Sequence, residues 1–417
     1  MRGFSSYLIE DAQGKNLHLE HLEDEIINFG IGGARGAINF LQSLRDMMAG
    51  SSRSSVNMTV KWDGAPAIFA GVDPSDGKFF VAKKSVFNKT PLLYKTTREI
   101  TSAKELPQAL KPAFTIALQE FSKLGIRGVL QGDLMFTNAS LESDTIDGQR
   151  YTTFQPNTIV YAVPKMSDLE QKMRAAKIGV VWHTTYTGDN LQNMKASFGA
   201  NISGLRKTKS VWMDDATYKD ASGRATFTKS ETDAITRKLS QVGKLFRKIN
   251  ASELKSFLRL QNSFTGKFAG AGIKTYYNSK VRLGTAVVNP VSHASGYVQW
   301  VEDKFDIEIN KLKTEKSKSL LEKRKKETMR EIKKYQNLLV NVISFQNALV
   351  EAKMDIVRKL NGVKQMMDTF VRTKQGFKVV NPEGYVAIDR VGGNAVKLVD
   401  RMEFSYNNFT AIKAWDR

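Results

Sequence analysis

The chain contains no cysteine. Disulfides and thiolate metal centres are therefore excluded, and a reducing interior is the ordinary setting for such a composition. Histidine is almost as scarce, with four residues in 417. A zinc site or a Ser-His-Asp centre finds little material. His18 and His21 fall on one expected helical face, but HLEHLE lacks the order of a metalloprotease helix. His183, in VVWHTTYTG, follows a buried strand, where a histidine is more often a satisfied core residue. No run approaches the roughly 20 apolar residues that cross a bilayer, so no membrane partner is expected. The opening segment MRGFSSYLIEDAQGK has no basic stretch leading into an apolar core. No secretory leader is expected, and the location expected is cytoplasmic, in a protein of cellular or viral coding. There is no Gly-x4-Gly-Lys-Ser/Thr phosphate loop, and GIGGARG at 30–36 carries Arg35 where a dinucleotide fingerprint needs glycine.

Acidic residues are also in short supply. Forty-two Asp and Glu face 63 Lys and Arg, a formal charge of +21. Such a field concentrates polyanions near the surface and speeds their capture. An anionic membrane surface would respond to it too, but nucleic acid is the commoner polyanion and the expected partner.

The hydrophobic pattern changes period along the chain. Residues 1–55 repeat apolar positions at helical steps, with a break expected at Gly30–Gly33. From 56 to 225, short β-rich runs (VNMTVKW, APAIFAGV, KFFVAKKSVF, GVLQGDLMF, NTIVYAVP, IGVVWHTTY) alternate with turn residues, and 106–125 carries helical spacing. From 226 to 372 the period is helical and the charge basic; KLKTEKSKSLLEKRKKETMREIKK (311–334) holds eleven basic and four acidic residues. Strand character returns over 373–417. The fold class expected is α+β, a domain of antiparallel sheets with helices, interrupted by an all-α insertion.

Within the first strand block, VKWDGAPAIFAG contains Lys61-Trp62-Asp63-Gly64. The plain reading is a tight turn cornered at Asp63-Gly64. The functional reading is a nucleophilic lysine at a strand end, beside a glycine that lets a nucleotide approach. This Lys-x-Asp-Gly run resembles motif I of the covalent nucleotidyltransferases, the superfamily of ATP-dependent DNA ligases, RNA ligases and mRNA capping enzymes. Further segments resemble its later motifs, in order. FFVAKKS places Lys83 or Lys84 where a basic residue contacts substrate or ribose. VLQGDLMF resembles motif III through Gly132-Asp133, and NTIVYAVP motif IIIa, with Tyr161 where a ring stacks on the base. NPEGYVAI resembles motif IV through Glu383-Gly384, and AVKLVDR motif V through Lys397. The resemblance covers about 56–190 and 377–405, a little over a third of the chain.

It implies an adenylation-domain fold, ATP as nucleotide and Mg²⁺ (or Mn²⁺) as cofactor, with Lys61, Asp63 and Lys397 catalytic. Trp62, Gly64, Lys83, Lys84, Asp133, Tyr161 and Glu383 would contact the nucleotide, and Asp133 and Glu383 are hard oxygen ligands for the metal. An amine attacks phosphorus only when deprotonated, a state favoured by burial and neighbouring cations such as Lys83, Lys84 and Lys397. Asp63 would bind ribose or orient Lys61. Three departures stand out: Asp133 replaces the usual glutamate, Val399 stands where a second motif V lysine is common, and Thr59-Val60 precede the nucleophile without an acid. About a dozen residues follow the motif V segment, too few for the extra β-barrel of capping enzymes and many DNA ligases. The expectation is therefore an RNA-ligase-like enzyme, RNA favoured over DNA, with the basic helical insertion contacting phosphates. A minimal DNA nick ligase, a non-catalytic nucleic-acid-binding protein on a degenerate ligase scaffold and adenylylation of a protein partner remain the alternatives.

Overall fold

The computed structural model describes residues 21–50, 56–216, 227–361, 367–373, 376–381, 384–389 and 395–403. It begins with helix α1 (Glu25–Met48), which is one run kinked at Gly30, where φ 62 and ψ −141 leave the helical region. Three strands follow: β1 (Val56–Lys61), β2 (Ala67–Val72) and β3 (Phe79–Ala82). Helices α2 (Thr97–Ser102) and α3 (Lys111–Phe121) precede β4 (Val129–Thr137), β5 (Glu142–Ile146), β6 (Gln149–Phe154) and β7 (Val160–Pro164). After α4 (Asp168–Ala175) come β8 (Ile178–Thr187), β9 (Lys195–Phe198) and β10 (Val211–Asp214). Described residues 227–361 are helical or loop: α5 (Lys229–Phe246), α6 (Ala251–Asn262), α7 (Ile273–Arg282), α8 (Pro290–Asn310), α9 (Glu315–Lys334) and α10 (Gln336–Asn361). The chain closes with β11 (Asp368–Thr373), β12 (Gly376–Val379), β13 (Gly384–Asp389) and β14 (Ala395–Leu398).

Helix starts follow local chemistry. Thr228 and Glu231 form a reciprocal capping box at α5, and Asn289 caps α8 ahead of Pro290 at its first turn. Both devices satisfy backbone N–H groups that have no partner inside the helix.

The strands form three sheets. β10-β8-β4-β2-β3, with β9 on β8, makes the largest, antiparallel except for the β10–β8 pair. β12-β11-β7-β6-β5 makes a second and β1-β13-β14 a third, both antiparallel. Strand alternation sends Ile68, Leu130, Leu134, Val180 and Trp182 to one face of the large sheet, against Phe114, Ala117 and Phe121 of α3. The other face sends Met135, Phe136 and Val181 against Phe154, Tyr161 and Val163 of the second sheet. Burying each such side chain contributes about 1.5–3 kcal/mol.

The amino-terminal helix and the helices of 227–361 share one core, which joins Leu41 and Leu44 of α1 to Leu239, Phe257, Phe345 and Ile356. That core also covers one face of the third sheet, through Met58, Tyr385, Ala387, Val396 and Leu398. A buried charge network ties the same parts together. Lys353 of α10 donates to Glu23 (2.8 Å, each 1% exposed), while Arg401 donates to both carboxylate oxygens of Asp24 (2.9 and 3.0 Å) and to Asn278 (2.7 Å). Lys353 and its neighbours hold the Glu23 carboxyl far below the usual carboxylate range, despite burial that opposes it. His21 is buried beside them, and burial pushes its imidazole well below its ordinary value. His18 lies outside the described residues.

Candidate functional site

Lys61 ends β1, paired across to Gly384 of β13. In the third sheet Met58 and Val60 share a face with Ala387 and Tyr385, packed on the helical core. Alternation puts Thr59, Lys61, Val386 and Lys397 on the opposite face, with Val386 paired to both Thr59 and Lys397. That face walls a cleft of about 100 Å³, partly open to solvent and smaller than the roughly 300–1,000 Å³ of most small-molecule sites. Its far wall comes from the large sheet, through Asp133 of β4, Val181 and His183 of β8, and Phe198 of β9. Trp62 and Ala216 complete it. Most of this surface is apolar, with Thr59, Lys61, Asp133 and His183 as the polar groups.

The pairing of β4 with β8 slips at two points, and at the first Gln131 faces Thr184 and Gly132 faces Trp182, which leaves His183 as an extra residue between the two pairs. A bulge of this kind bends the strand and re-aims a side chain. Here His183 Nε2 comes to 3.8 Å from Asp133 Oδ1, and its Nδ1 lies 2.8 Å from Thr184 Oγ1. Both side chains remain reachable from the cleft, His183 at 30% and Asp133 at 20% exposure. The expectation of a satisfied core histidine at 183 is corrected: it is half-buried and borders the cleft. No local pattern marks a bulge, which is why the sequence points to a core histidine; the one signal to the contrary is an ionisable residue two positions from Val181.

Gly64 has a steric reason to be glycine. A Cβ there would sit 2.3 Å from the Cβ of Asp133, so the turn after Lys61 packs directly on β4. Ala65 N donates to Leu134 O (3.2 Å), and Leu134 N to Pro66 O (3.1 Å), which fixes that turn beside Asp133.

Asp63 is 5% exposed. Its Oδ2 accepts from the backbone N–H groups of Thr158 and Ile159, both at 2.7 Å, and its Oδ1 from Asn157 Nδ2 at 2.6 Å. Its own N–H donates to the Tyr161 hydroxyl (2.7 Å). Asp63 therefore braces the turn against the 157–161 segment. Tyr161 is 2% exposed, with its ring stacked on Phe154 (5.3 Å) and packed on Trp62 (5.2 Å). It forms part of the layer behind Trp62. Trp62 itself borders the cleft, and its buried Nε1 has no hydrogen-bond partner among the described residues.

The other expected residues divide. Lys397 is 8% exposed, on the same sheet face as Lys61, with residue 21 bridged to its backbone. Lys83 and Lys84 follow β3 directly, two strands from β4, half-buried and exposed respectively; neither borders the cleft. Glu383 lies outside the described residues. Among the described residues no group of three or more His, Asp or Glu is arranged to hold a metal, although Asp133 offers carboxylate oxygens at the cleft.

The structure defines a mixed α/β protein with antiparallel sheets and a cleft between two of them. Residues 16–413 match DUF6267, a family of unknown function, and the chain belongs to that family. No curated protein matches it significantly, and no solved structure does.

Proposed function

We propose that this cleft binds ATP and that the chain is an RNA-ligase-like nucleotidyltransferase, with Lys61 as the nucleophile on an adenylation-type fold. The observation that carries the reading is convergence. Lys61 and Asp133 stand on different sheets, yet they face one cleft, with Gly64 seated against Asp133. The mostly apolar wall suits a base and Lys61 suits phosphate charge, while Lys397, buried on the same sheet face, does not line the cleft.

In the first step Lys61 Nζ attacks the α-phosphorus. The N–P bond forms, the bond from phosphorus to the bridging oxygen breaks, and pyrophosphate leaves with that electron pair. His183 offers an imidazole in the same cleft to take the proton that the amine gives up. Asp133, with Glu383, would hold Mg²⁺, which neutralises charge developing on the phosphates. A 5′-phosphate oxygen then takes AMP from the lysine, and a 3′-hydroxyl displaces AMP to join the ends.

A second reading, a binding protein without transfer, is favoured by the full engagement of Asp63 and Tyr161 in internal packing. Incubation with α-labelled ATP and Mg²⁺ separates the two. The expected result is an acid-labile, alkali-stable label on wild type that is lost in Lys61→Arg and reduced at least tenfold in His183→Ala. A folded wild-type protein that binds ATP without labelling would establish the second reading; one that does neither overturns both.

A further inference from the structure

A second depression of about 850 Å³, open to solvent, lies beyond Trp212, between α4, the 202–209 segment and β10. Its charged lining is Lys172, Lys207 and Lys209 against Asp168 and Asp214. The three lysines are exposed and form no ion pair among the described residues. The acids that might have neutralised this region are engaged by other cations. Glu120 pairs with Lys123 (2.6 Å) and Lys177 (2.8 Å), and Glu170 with Lys165 (3.5 Å) and Arg174 (3.7 Å). Of the two lining acids, Asp214 is 8% exposed and accepts from the Asp215 N–H at 2.9 Å. Asp168 lies in the first turn of α4, where the helix dipole balances it. The groove therefore presents net positive charge.

This groove neighbours the Lys61 cleft across a pair of tryptophans. Its wall residue Trp212 packs edge-on against Trp62 of the cleft, ring centroids 6.4 Å apart. β10 then runs from the groove to Ala216, which lines the cleft and accepts from Val60 N–H at 2.7 Å. Ala216 has φ 57, a left-handed conformation that is unfavourable for alanine and persists only where packing enforces it. The junction of the two depressions is thus held in a fixed, strained shape.

We infer that the groove binds a single nucleic-acid strand through its phosphates and delivers the strand's end to the cleft. This rests on the nucleotidyltransferase reading for the role of the end, but strand binding itself can be tested without it. Lysines track a phosphate backbone without reading sequence, and each neutralised phosphate of a single strand contributes about 0.7 to the slope of log affinity on log salt.

The test measures binding of a fluorescent single-stranded oligoribonucleotide by anisotropy over a range of salt, for wild type and the triple variant Lys172→Gln, Lys207→Gln, Lys209→Gln. The expected result is at least a tenfold loss of affinity near 0.1 M salt and a slope lower by about 2, three times 0.7. The single variant Lys207→Gln should lower it by about 0.7 and serves if the triple variant misfolds. Affinity and slope within twofold of wild type overturn the inference, as does tighter binding of a blunt duplex than of the strand. Labelling of Lys61 by ATP, read in the same preparations, reports the cleft separately. Lost labelling with intact groove dependence sinks the transfer reading and leaves the groove, and the reverse result sinks the groove alone.

Discussion

Asp63 offers the sharpest separation between a nucleotide ligand and a brace. Its carboxylate accepts three hydrogen bonds at 2.6–2.7 Å, two of them from backbone N–H groups of residues 158 and 159. Asp63→Ala leaves those two donors buried without acceptors, at about 1–3 kcal/mol each, and loses the Asn157 contact as well. Because the three partners are adjacent, their contributions are not additive, and we expect a total of about 3–5 kcal/mol. Asp63→Asn should be far milder. Its remaining oxygen can keep the two backbone donors, while its new amide group faces Asn157. Asn157 Oδ1 has no partner among the described residues, so turning its amide over supplies the acceptor required. The net loss is then about 1–2 kcal/mol, the difference between charge-assisted and neutral hydrogen bonds. Urea unfolding followed by tryptophan fluorescence measures both, since Trp62 adjoins the turn. Equal losses below 1 kcal/mol for the two variants would refute the brace. So would an Asp63→Asn protein of unchanged stability whose KM for ATP in self-labelling has risen more than tenfold, which would return Asp63 to the ribose.

Two further predictions concern the helical core. Lys353→Met strands Glu23, and since each is 1% exposed the expected loss is about 3–5 kcal/mol in urea unfolding, partly restored by adding Glu23→Gln; a loss under 1 kcal/mol would show that Arg401 alone satisfies the carboxylate. His293 is buried against the rings of Tyr276 and Tyr277, and burial, then Lys280, lowers its pKa to about 4. The unfolded chain, near 6.5, binds the proton first, so stability falls as pH drops from about 6.5 to 4, by about 3 kcal/mol in all. His293→Gln should flatten that part of the curve of melting temperature against pH, and an unchanged slope would remove the imidazole as its source.

Period-2 runs located the strands well, because alternation is a local property of neighbouring residues. VKWDGAPAIFAG became the end of β1, the turn and β2, and Lys61, Trp62 and Asp133 all border the cleft. The engagement of Asp63 was hidden for a physical reason. Its partners at 158 and 159 are backbone N–H groups, which every residue but proline possesses, so no letter in the sequence announces them. The role of Gly64 was half legible. A close approach was expected, but the approaching group in the protein is Asp133. Residues 1–55 read as a separate helical segment, whereas α1 shares its core with 227–361; apolar stripes show that a face is buried without naming what buries it. The basic run 311–334 keeps most of its charge exposed but also packs and pairs with its neighbours. Leu321, Met329 and Ile332 of α9 face inward, and Lys325 reaches across to Asp306 and Glu302 of α8.

The partner strand of β1 is made very late. Gly384, opposite Lys61, lies about 320 residues downstream. At a synthesis rate of roughly 5–20 residues per second, Lys61 is outside the ribosome for tens of seconds before its neighbouring strand exists. During that interval the large sheet can form, but the Val386 side of the pocket cannot. A polypeptide interrupted between β10 and β13 would carry the lysine, Asp133 and His183, and still present them on an open ledge.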